Sequence, residues 1–93
     1  MAFDWDPYKN AANIERHGID FEDARRIFEG PVVEARSRRE YSEVRMIAIG
    51  LLNDREIVVV YTWRGDKRRL ISARRASRNE RREYQRAIQG GHN

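Results

Sequence analysis

An apolar run rich in β-branched residues, Ile57–Trp63, constrains the fold of this chain more than any other stretch. A link around Gly65 and Asp66 follows, and then a second run, Arg68–Arg75, with cations at both ends. β-Branched and aromatic residues favour strands, and a short glycine-containing link between two strands is typical of a hairpin. The first strand is apolar on both faces, which predicts burial on both sides. The sequence therefore predicts a central β-hairpin whose second strand carries arginines.

Length and composition exclude several classes of protein. A chain of 93 residues without cysteine is expected to form one domain that has no disulfides, and the cytosol is its expected compartment. Its longest apolar runs have about seven residues, whereas a membrane helix needs ~20, so no membrane segment is expected. The N-terminal segment has acids where a signal peptide has cations. Nucleotide-binding glycine loops and metal-ligand motifs are missing, so neither cofactor nor metal is expected.

The positive charge is concentrated at one end of the chain. The formal net charge is +4, but residues 64–86 contain ten Lys/Arg and three Asp/Glu, which gives +7 there and −3 elsewhere. Such clustering is typical of a surface that binds phosphates, so contact with nucleic acid is predicted. The alternative is a solvated arginine-rich surface that only keeps the protein soluble.

Two helices are predicted before the sheet. Asp6 and Pro7 start the first, which runs over Tyr8–His17 and ends at Gly18, and Asp20 is the N-cap of the second. Apolar residues recur at helical spacing in both. They are Tyr8, Ala11, Ala12 and Ile14 in the first helix, and Phe21, Ala24, Ile27 and Phe28 in the second.

The remaining strands are predicted to form an antiparallel meander with the hairpin. Val32–Ala35 is expected at an edge because it follows a proline, and a charged loop, Arg36–Ser42, comes next. Val44–Leu52 is the next predicted strand. One face of this strand carries small or flexible residues, which would allow a helix to pack closely against it. A hairpin turn is predicted at Asn53–Arg55, directly after the strand.

A helix from Ser77 to about Gln89 is expected at the end. Ser77 and Glu80 have the spacing of a capping box. The apolar face of this helix is thin, which indicates that a partner holds it or that it frays. His92 lies beyond it in a glycine-rich tail.

Cleavage of RNA is one chemistry that this set of residues could carry. The 2′-hydroxyl attacks its own phosphate, so the protein must stabilise added charge and move protons. Lys9, Arg64, Arg74 and Arg75 are the candidates for phosphate contact. Tyr61 or His17 could move a proton, although His17 is also well placed to cap the first helix.

Strand alternation divides the arginines between two faces. A regular strand places Arg69 and Arg75 on one face and Arg68 and Arg74 on the other. Only one of Arg74 and Arg75 should then reach a substrate, while the other holds the last helix or pairs with an acid. Both tryptophans, Trp5 and Trp63, are expected in the core rather than on nucleobases.

Three blocks of the sequence match a known family. They are Trp5-Asp6-Pro7-x-Lys9-x-x-x-Asn13-x-x-x-His17-Gly18-Ile19-x-Phe21-x-x-Ala24, then Arg45-x-x-x-Ile49-Gly50, and finally Val60-Tyr61-Thr62-x-Arg64 with Arg69–Ala76 and Glu80-x-x-x-Tyr84. With these blocks in this order, the chain resembles the BrnT family of type II toxins. The resemblance implies an α+β, RelE-like fold in which two N-terminal helices pack on a twisted three- to four-stranded antiparallel sheet, followed by a C-terminal helix.

The resemblance also implies a function. It implies a metal-independent endoribonuclease that arrests growth and is neutralised by a BrnA-like antitoxin, with operator DNA contacted only through that antitoxin. A non-catalytic nucleic-acid-binding or protein-interaction module is the alternative. The predicted site residues form three groups: Lys9, Tyr61, Arg64 and Arg74 for catalysis; His17, Arg68, Arg69 and Arg75 for RNA binding; and Arg78, Arg81, Arg82 and Tyr84 for partner binding.

Overall fold

A computed structural model describes residues 2–90, which form a five-stranded sheet with helices on both faces. Gly91 and His92 lie outside the described residues. The elements are β1 (Ala2–Trp5), α1 (Pro7–His17), α2 (Phe21–Ala24) with a 3-10 turn (Arg25–Glu29), β2 (Val33–Arg36), β3 (Met46–Leu52), β4 (Arg55–Arg64), β5 (Lys67–Arg75) and α3 (Arg78–Gly90). The strand order is β1-β5-β4-β3-β2. This α+β architecture confirms the predicted class and the C-terminal helix.

The sheet differs from the predicted one in strand number and direction. It has five strands instead of three to four, and β1 pairs with β5 in parallel while all other pairs are antiparallel. β1 has only four residues and its partner lies more than sixty residues away, so no local hairpin signal marks it. The predicted second helix is also shorter, because it changes to a 3-10 turn after Ala24.

The predicted turns and helix ends are confirmed. Asp6 and Asp20 accept hydrogen bonds from the amides two residues later, and Gly18 ends α1 in the left-handed conformation. The β3–β4 turn places Asn53 and Asp54 at positive φ, as a two-residue hairpin with right-handed strand twist requires. Local chemistry therefore sets these boundaries.

The larger core lies between the sheet and the α2 segment, on the side called here the α2 face. Phe21, Ala24, Ile27 and Phe28 pack there against β3, β4 and β5. At Gly50 an added Cβ would lie 2.8 Å from the Cβ of Ile27. The predicted close approach of a helical segment to this face of β3 is therefore confirmed.

α1 does not bury the apolar face that its sequence predicts. Tyr8 is 86% exposed and Ile14 is also exposed, whereas Asn13 is the buried residue of the helix. The Asn13 amide donates to the Ala73 carbonyl at 2.9 Å and accepts from the Ala73 amide at 3.1 Å. α1 is thus attached to the edge of β5 by hydrogen bonds, just beyond the point where β1 ends opposite Leu70.

α3 packs on the opposite side of the sheet, the α3 face. Tyr84 and Ala76 form a second core with Ile49 and Val58, and the Tyr84 hydroxyl donates to the Pro31 carbonyl at 3.0 Å. The predicted capping box is present, since Glu80 accepts from the Ser77 amide and donates its own amide to the Ser77 hydroxyl. The helix is therefore held by its own sheet, contrary to the expectation that it frays or depends on a partner.

A β-bulge at Ile71 changes which arginines share a face. Val60 pairs with Ser72 and Tyr61 pairs with Leu70, so Ile71 has no partner on β4. A bulge adds one residue to one strand and shifts the alternation beyond it. Arg69 therefore shares a face with Arg74, and the predicted grouping of Arg69 with Arg75 is wrong.

No helix within residues 2–90 is long and apolar enough to cross a membrane.

Candidate nucleic-acid interface

Four cations of the β4–β5 hairpin lie on the α3 face. Residues that pair directly across antiparallel strands project to the same side, and Val58 packs against α3 on that side. The pairs on this face are Val58 with Arg74, Val60 with Ser72, Thr62 with Arg69, and Arg64 with Lys67. α3 packs against β2 and β3, so the cationic half of the face remains accessible. We call Arg64, Lys67, Arg69 and Arg74 the cationic strip.

The three arginines of the strip are each oriented by a carboxylate. Arg64 Nη2 lies 3.3 Å from a Glu43 oxygen, and Arg69 Nη1 lies 3.1 Å from an Asp4 oxygen. Both pairs are partly exposed, so each contributes ~0–1 kcal/mol and mainly positions the guanidinium group. These arginines remain available to a phosphate that competes with the carboxylate.

Arg74 is held most tightly. Its Nη1 and Nη2 donate to the two Glu80 oxygens at 2.7 and 2.8 Å. The hydrogen bond from Arg74 lowers the pKa of Glu80 from 4.5 to about 2, and the same bond raises the pKa of Arg74. Arg74 therefore holds the last helix, one of the two roles predicted for the Arg74 and Arg75 pair.

A cleft of about 200 Å³ lies between α1 and β5. It brings together the exposed side chains of Lys9 and His17 and the hydroxyl of Ser72, a residue of the α3 face. We call it the α1–β5 cleft; its lining residues are Lys9, Ala12, Asn13, Arg16, His17, Ile71 and Ser72. An ammonium, a guanidinium and an imidazole around one concave site can bind a phosphate and move a proton.

The structure separates some residues that the sequence groups together. Arg64 lies at the turn opposite Lys67, while Arg74 lies opposite Val58 at the other end of the hairpin. Arg64 lies six positions after Val58 on β4, which is roughly 20 Å of backbone. Lys9 adjoins Ser72 and is therefore at the Arg74 end. A single phosphate cannot contact Arg64 and Arg74 together, but one strand of nucleic acid can.

Tyr61 lies in the core rather than on the cationic strip. Its side chain is on the α2 face and the residue is 1% exposed, with the hydroxyl donating to a Glu34 oxygen at 2.7 Å. Burial, followed by the hydrogen bond to Glu34, raises the pKa of the phenol. A buried phenol that holds its proton more strongly is poorly placed to exchange protons with a substrate.

Two of the four predicted RNA-binding residues share the α3 face or its edge. Arg69 belongs to the strip and His17 lines the α1–β5 cleft. Arg68 instead packs on the α2 face, with its guanidinium 4.4 Å from the Phe28 ring centroid. Arg75 is exposed on that same face, at a groove of about 460 Å³ beside Asp23.

The predicted partner-binding residues also divide into two groups. Arg78, Arg81 and Arg82 are exposed on α3. Tyr84 is buried and anchors the helix, so its ring is not part of the accessible surface.

Several functional features are not evident from the sequence. Asp4, Glu43 and Glu80 pair with the strip. The sequence indicates Glu80 as a capping residue and Glu43 as a possible base or a surface partner of Arg45, but it does not indicate that these carboxylates orient the strip. Trp63 is 47% exposed, so the expectation that it lies in the core is wrong. Within residues 2–90, no group of three or more acidic or histidine side chains could hold a metal ion.

Comparisons with known proteins agree with this architecture. Residues 5–80 match the family described as the ribonuclease toxin, BrnT, of type II toxin–antitoxin systems. The crystal structure of the Brucella abortus ribonuclease toxin BrnT is 30% identical, with a TM-score of 0.64 over 84% of this chain and 99% of that chain. No curated protein matches the chain. The chain therefore belongs to the BrnT family of ribonuclease toxins of type II toxin–antitoxin systems.

Proposed function

We propose that this protein is an endoribonuclease toxin that cleaves RNA without a metal ion and thereby arrests growth. The observation that carries the proposal is the cationic strip, which runs along the α3 face toward the α1–β5 cleft. Phosphate contacts provide much of the affinity of a protein for nucleic acid. A single arginine can donate two parallel hydrogen bonds to two oxygens of one phosphate. We further propose that the sheet is the RelE-like scaffold expected from the sequence.

The proposed reaction uses the substrate's own 2′-hydroxyl. Its oxygen attacks the adjacent phosphorus, the bond to the 5′-oxygen breaks, and a 2′,3′-cyclic phosphate and a 5′-hydroxyl remain. A base accepts the 2′-hydroxyl proton and an acid protonates the departing oxygen.

The cleft and the adjoining end of the cationic strip supply groups for both tasks. Lys9 and Arg74 stabilise the charge added to the phosphate, Arg74 by exchanging part of its contact with Glu80 for the phosphate, and the His17 imidazole moves a proton. Arg64 binds a phosphate farther along the same strand, because the turn is too distant for contact with the reacting phosphate. Tyr61 has no direct step in this proposal because its hydroxyl is buried.

The decisive experiment incubates purified protein with RNA in excess chelator. Cleavage products that end in a 2′,3′-cyclic phosphate are expected, and a 2′-deoxy substitution at the cleaved position should prevent their formation. Intact RNA in the presence of correctly folded protein would contradict the proposal.

Variants then test the assigned residues. We expect Lys9→Ala, Arg64→Ala and Arg74→Ala each to relieve toxicity, and His17→Ala to lower the cleavage rate by about 100-fold, the low end of general acid–base effects. Arg26→Ala is the matched control, because Arg26 is an exposed arginine in the 3-10 turn on the opposite side of the sheet. Stability is measured alongside, since Arg74→Ala also releases Glu80. Full toxicity in all the strip and cleft variants would show that the site is misplaced.

We also propose that a BrnA-like antitoxin neutralises the toxin, and that the complex reaches operator DNA only through the antitoxin. The family belongs to type II systems, which supports a protein partner. The exposed arginines of α3 are the proposed contact because they are accessible and belong neither to the strip nor to the cleft.

A further inference from the structure

We propose that Trp63 is a stacking platform for one nucleobase of single-stranded RNA. The inference rests on the proposed function and adds a base-binding subsite at the β4–β5 turn, remote from the α1–β5 cleft. It starts from the contrast between the two tryptophans. Trp5 packs edge-to-face on Phe21 in the core, with ring centroids 6.1 Å apart, whereas Trp63 is 47% exposed.

The indole of Trp63 is held in one orientation despite its exposure. Tyr61 meets it edge-to-face, with centroids 5.7 Å apart and an interplanar angle of 85°. Arg68, its direct partner across the hairpin, places its guanidinium carbon 4.6 Å from the indole centroid. A platform that is already ordered loses little conformational entropy when a flat ligand binds.

The contacts of Arg68 strengthen this arrangement. Its guanidinium also lies over Phe28 and Tyr61, and its Nε is buried without a hydrogen-bond partner within residues 2–90. Contacts with aromatic faces therefore hold the side chain in place. The guanidinium lies over one face of the indole, so the inferred base stacks on the opposite face, and the cation favours the phosphate attached to that base.

The surroundings of the indole indicate nucleic acid rather than protein as the occupant. Arg64 and Lys67 are exposed at the same turn, one residue from Trp63 and from Arg68 respectively. Aromatic hot spots of protein interfaces lie within an apolar centre, whereas the exposed side chains of this turn are charged, with two cations and the single acid Asp66. An aromatic face flanked by cations is the usual arrangement for single-stranded nucleic acid, because every nucleotide offers a flat base and a phosphate.

The position also fits the length of the strip. The cations run along the hairpin from Arg74 to Arg64, and Trp63 follows at the end of that line on the other face. A strand that is cleaved at the α1–β5 cleft can therefore follow the strip and place one base on Trp63 as it passes the turn.

The test uses a 2′-O-methyl oligonucleotide, which carries bases and phosphates but no attacking hydroxyl. Binding is measured by fluorescence anisotropy for the wild type, Trp63→Ala, Trp63→Tyr and Leu51→Ala. We expect Trp63→Ala to bind about tenfold more weakly, within the range for loss of one stacked base. Trp63→Tyr should retain most of the affinity. Leu51→Ala is the matched control, because it truncates an apolar side chain of similar exposure (42%) on β3.

Two further measurements separate stacking from other effects. The slope of affinity against salt should be the same in Trp63→Ala and the wild type, because an indole releases no counterions, whereas Arg64→Ala should lower it. In a Trp5→Phe background, the oligonucleotide should quench the remaining tryptophan emission. Thermal unfolding of each variant identifies any loss of fold.

The possible results give distinct conclusions. Equal affinity of folded Trp63→Ala and wild type would overturn the inference, as would a loss confined to antitoxin binding, which would make the indole a protein contact. If affinity depends on Trp63 but RNA is never cut, the cleavage proposal fails and the base subsite stands. If RNA is cut normally and Trp63→Ala changes nothing, only the base subsite fails.

Discussion

Asn13 connects the first helix to the sheet through a single side chain. Its amide nitrogen donates to the Ile19 and Ala73 carbonyls, both at 2.9 Å, and its oxygen accepts from the Ala73 amide. The side chain satisfies backbone groups of β5 that β1 leaves unpaired, because β1 ends at Trp5 opposite Leu70. It also positions α1, and with it Lys9 and His17.

We predict that Asn13→Ala lowers the free energy of unfolding by about 2–4 kcal/mol, since it leaves buried backbone groups without partners. Urea unfolding measures the loss. Asn79→Ala is the control; Asn79 is an exposed asparagine on α3, so its substitution should change stability by less than about 0.5 kcal/mol. A similar effect of the two substitutions would contradict the role given to Asn13.

Two elements determine the shape of the candidate site. The Ile71 bulge places Arg69 and Arg74 on one face, and α3 covers the apolar half of that face but not the cationic half. The two meet at the Arg74–Glu80 ion pair, which joins the end of β5 to the first turn of the helix. This pair is therefore the point at which the active surface and the helix attachment are coupled.

The ion pair predicts a specific dependence of stability on pH. The pKa of Glu80 is lowered from 4.5 to about 2 in the folded protein, so its stabilising contribution is complete above about pH 5. It is lost as the pH falls from about 4.5 toward 2. We predict that Glu80→Gln costs about 1 kcal/mol at pH 6, a value reduced for solvent screening of a partly exposed pair.

Urea unfolding of both proteins between pH 6 and pH 2 checks this prediction. The difference between wild type and Glu80→Gln should shrink toward low pH, because the wild-type carboxyl becomes protonated. Glu83→Gln is the control, since Glu83 is exposed on the same helix. A difference that is constant over the whole range would show that the charge of Glu80 is not responsible.

The whole molecule presents two adjacent cationic regions with different proposed partners. The strip and the cleft face RNA in the proposed function, and the exposed arginines of α3 face the antitoxin. The strip and the exposed arginines of α3 arise from residues 64–86, whose local charge is +7, whereas the cleft adds cationic side chains from α1. Because the side chains belong to different elements, substitution can separate the two activities.

We predict that Arg81→Glu combined with Arg82→Glu weakens neutralisation by the antitoxin while the toxin continues to cleave RNA. The two introduced glutamates would repel the acidic surface expected of a partner that binds these arginines, which lowers its affinity. RNA cleavage should continue because neither residue belongs to the strip or the cleft. Co-purification of toxin with antitoxin and a growth assay with both proteins measure the effect. Arg26→Glu, on the opposite side of the sheet, is the control. Normal neutralisation of the double variant would place the antitoxin elsewhere.

Local chemistry in the sequence determined the α+β class, the helix boundaries at Asp6, Gly18 and Asp20, and the capping box of α3. These features depend on neighbouring residues, so a linear pattern contains the information. The family blocks likewise indicated the ribonuclease toxin family before any contact was known. The distribution of charge along the sequence located the basic end of the chain, but it did not show on which face of the sheet each cationic side chain lies.

The tertiary structure alone decided which side chains act together. β1 pairs with a strand more than sixty residues away, and the Ile71 bulge arises from the pairing of two strands, so neither has a local signal. The same holds for Asn13, Tyr61 and Trp63, whose exposure depends on what packs above them. Alternation places a side chain on a face, but only the packed elements decide whether that face is core, as for Tyr61, or surface, as for Trp63.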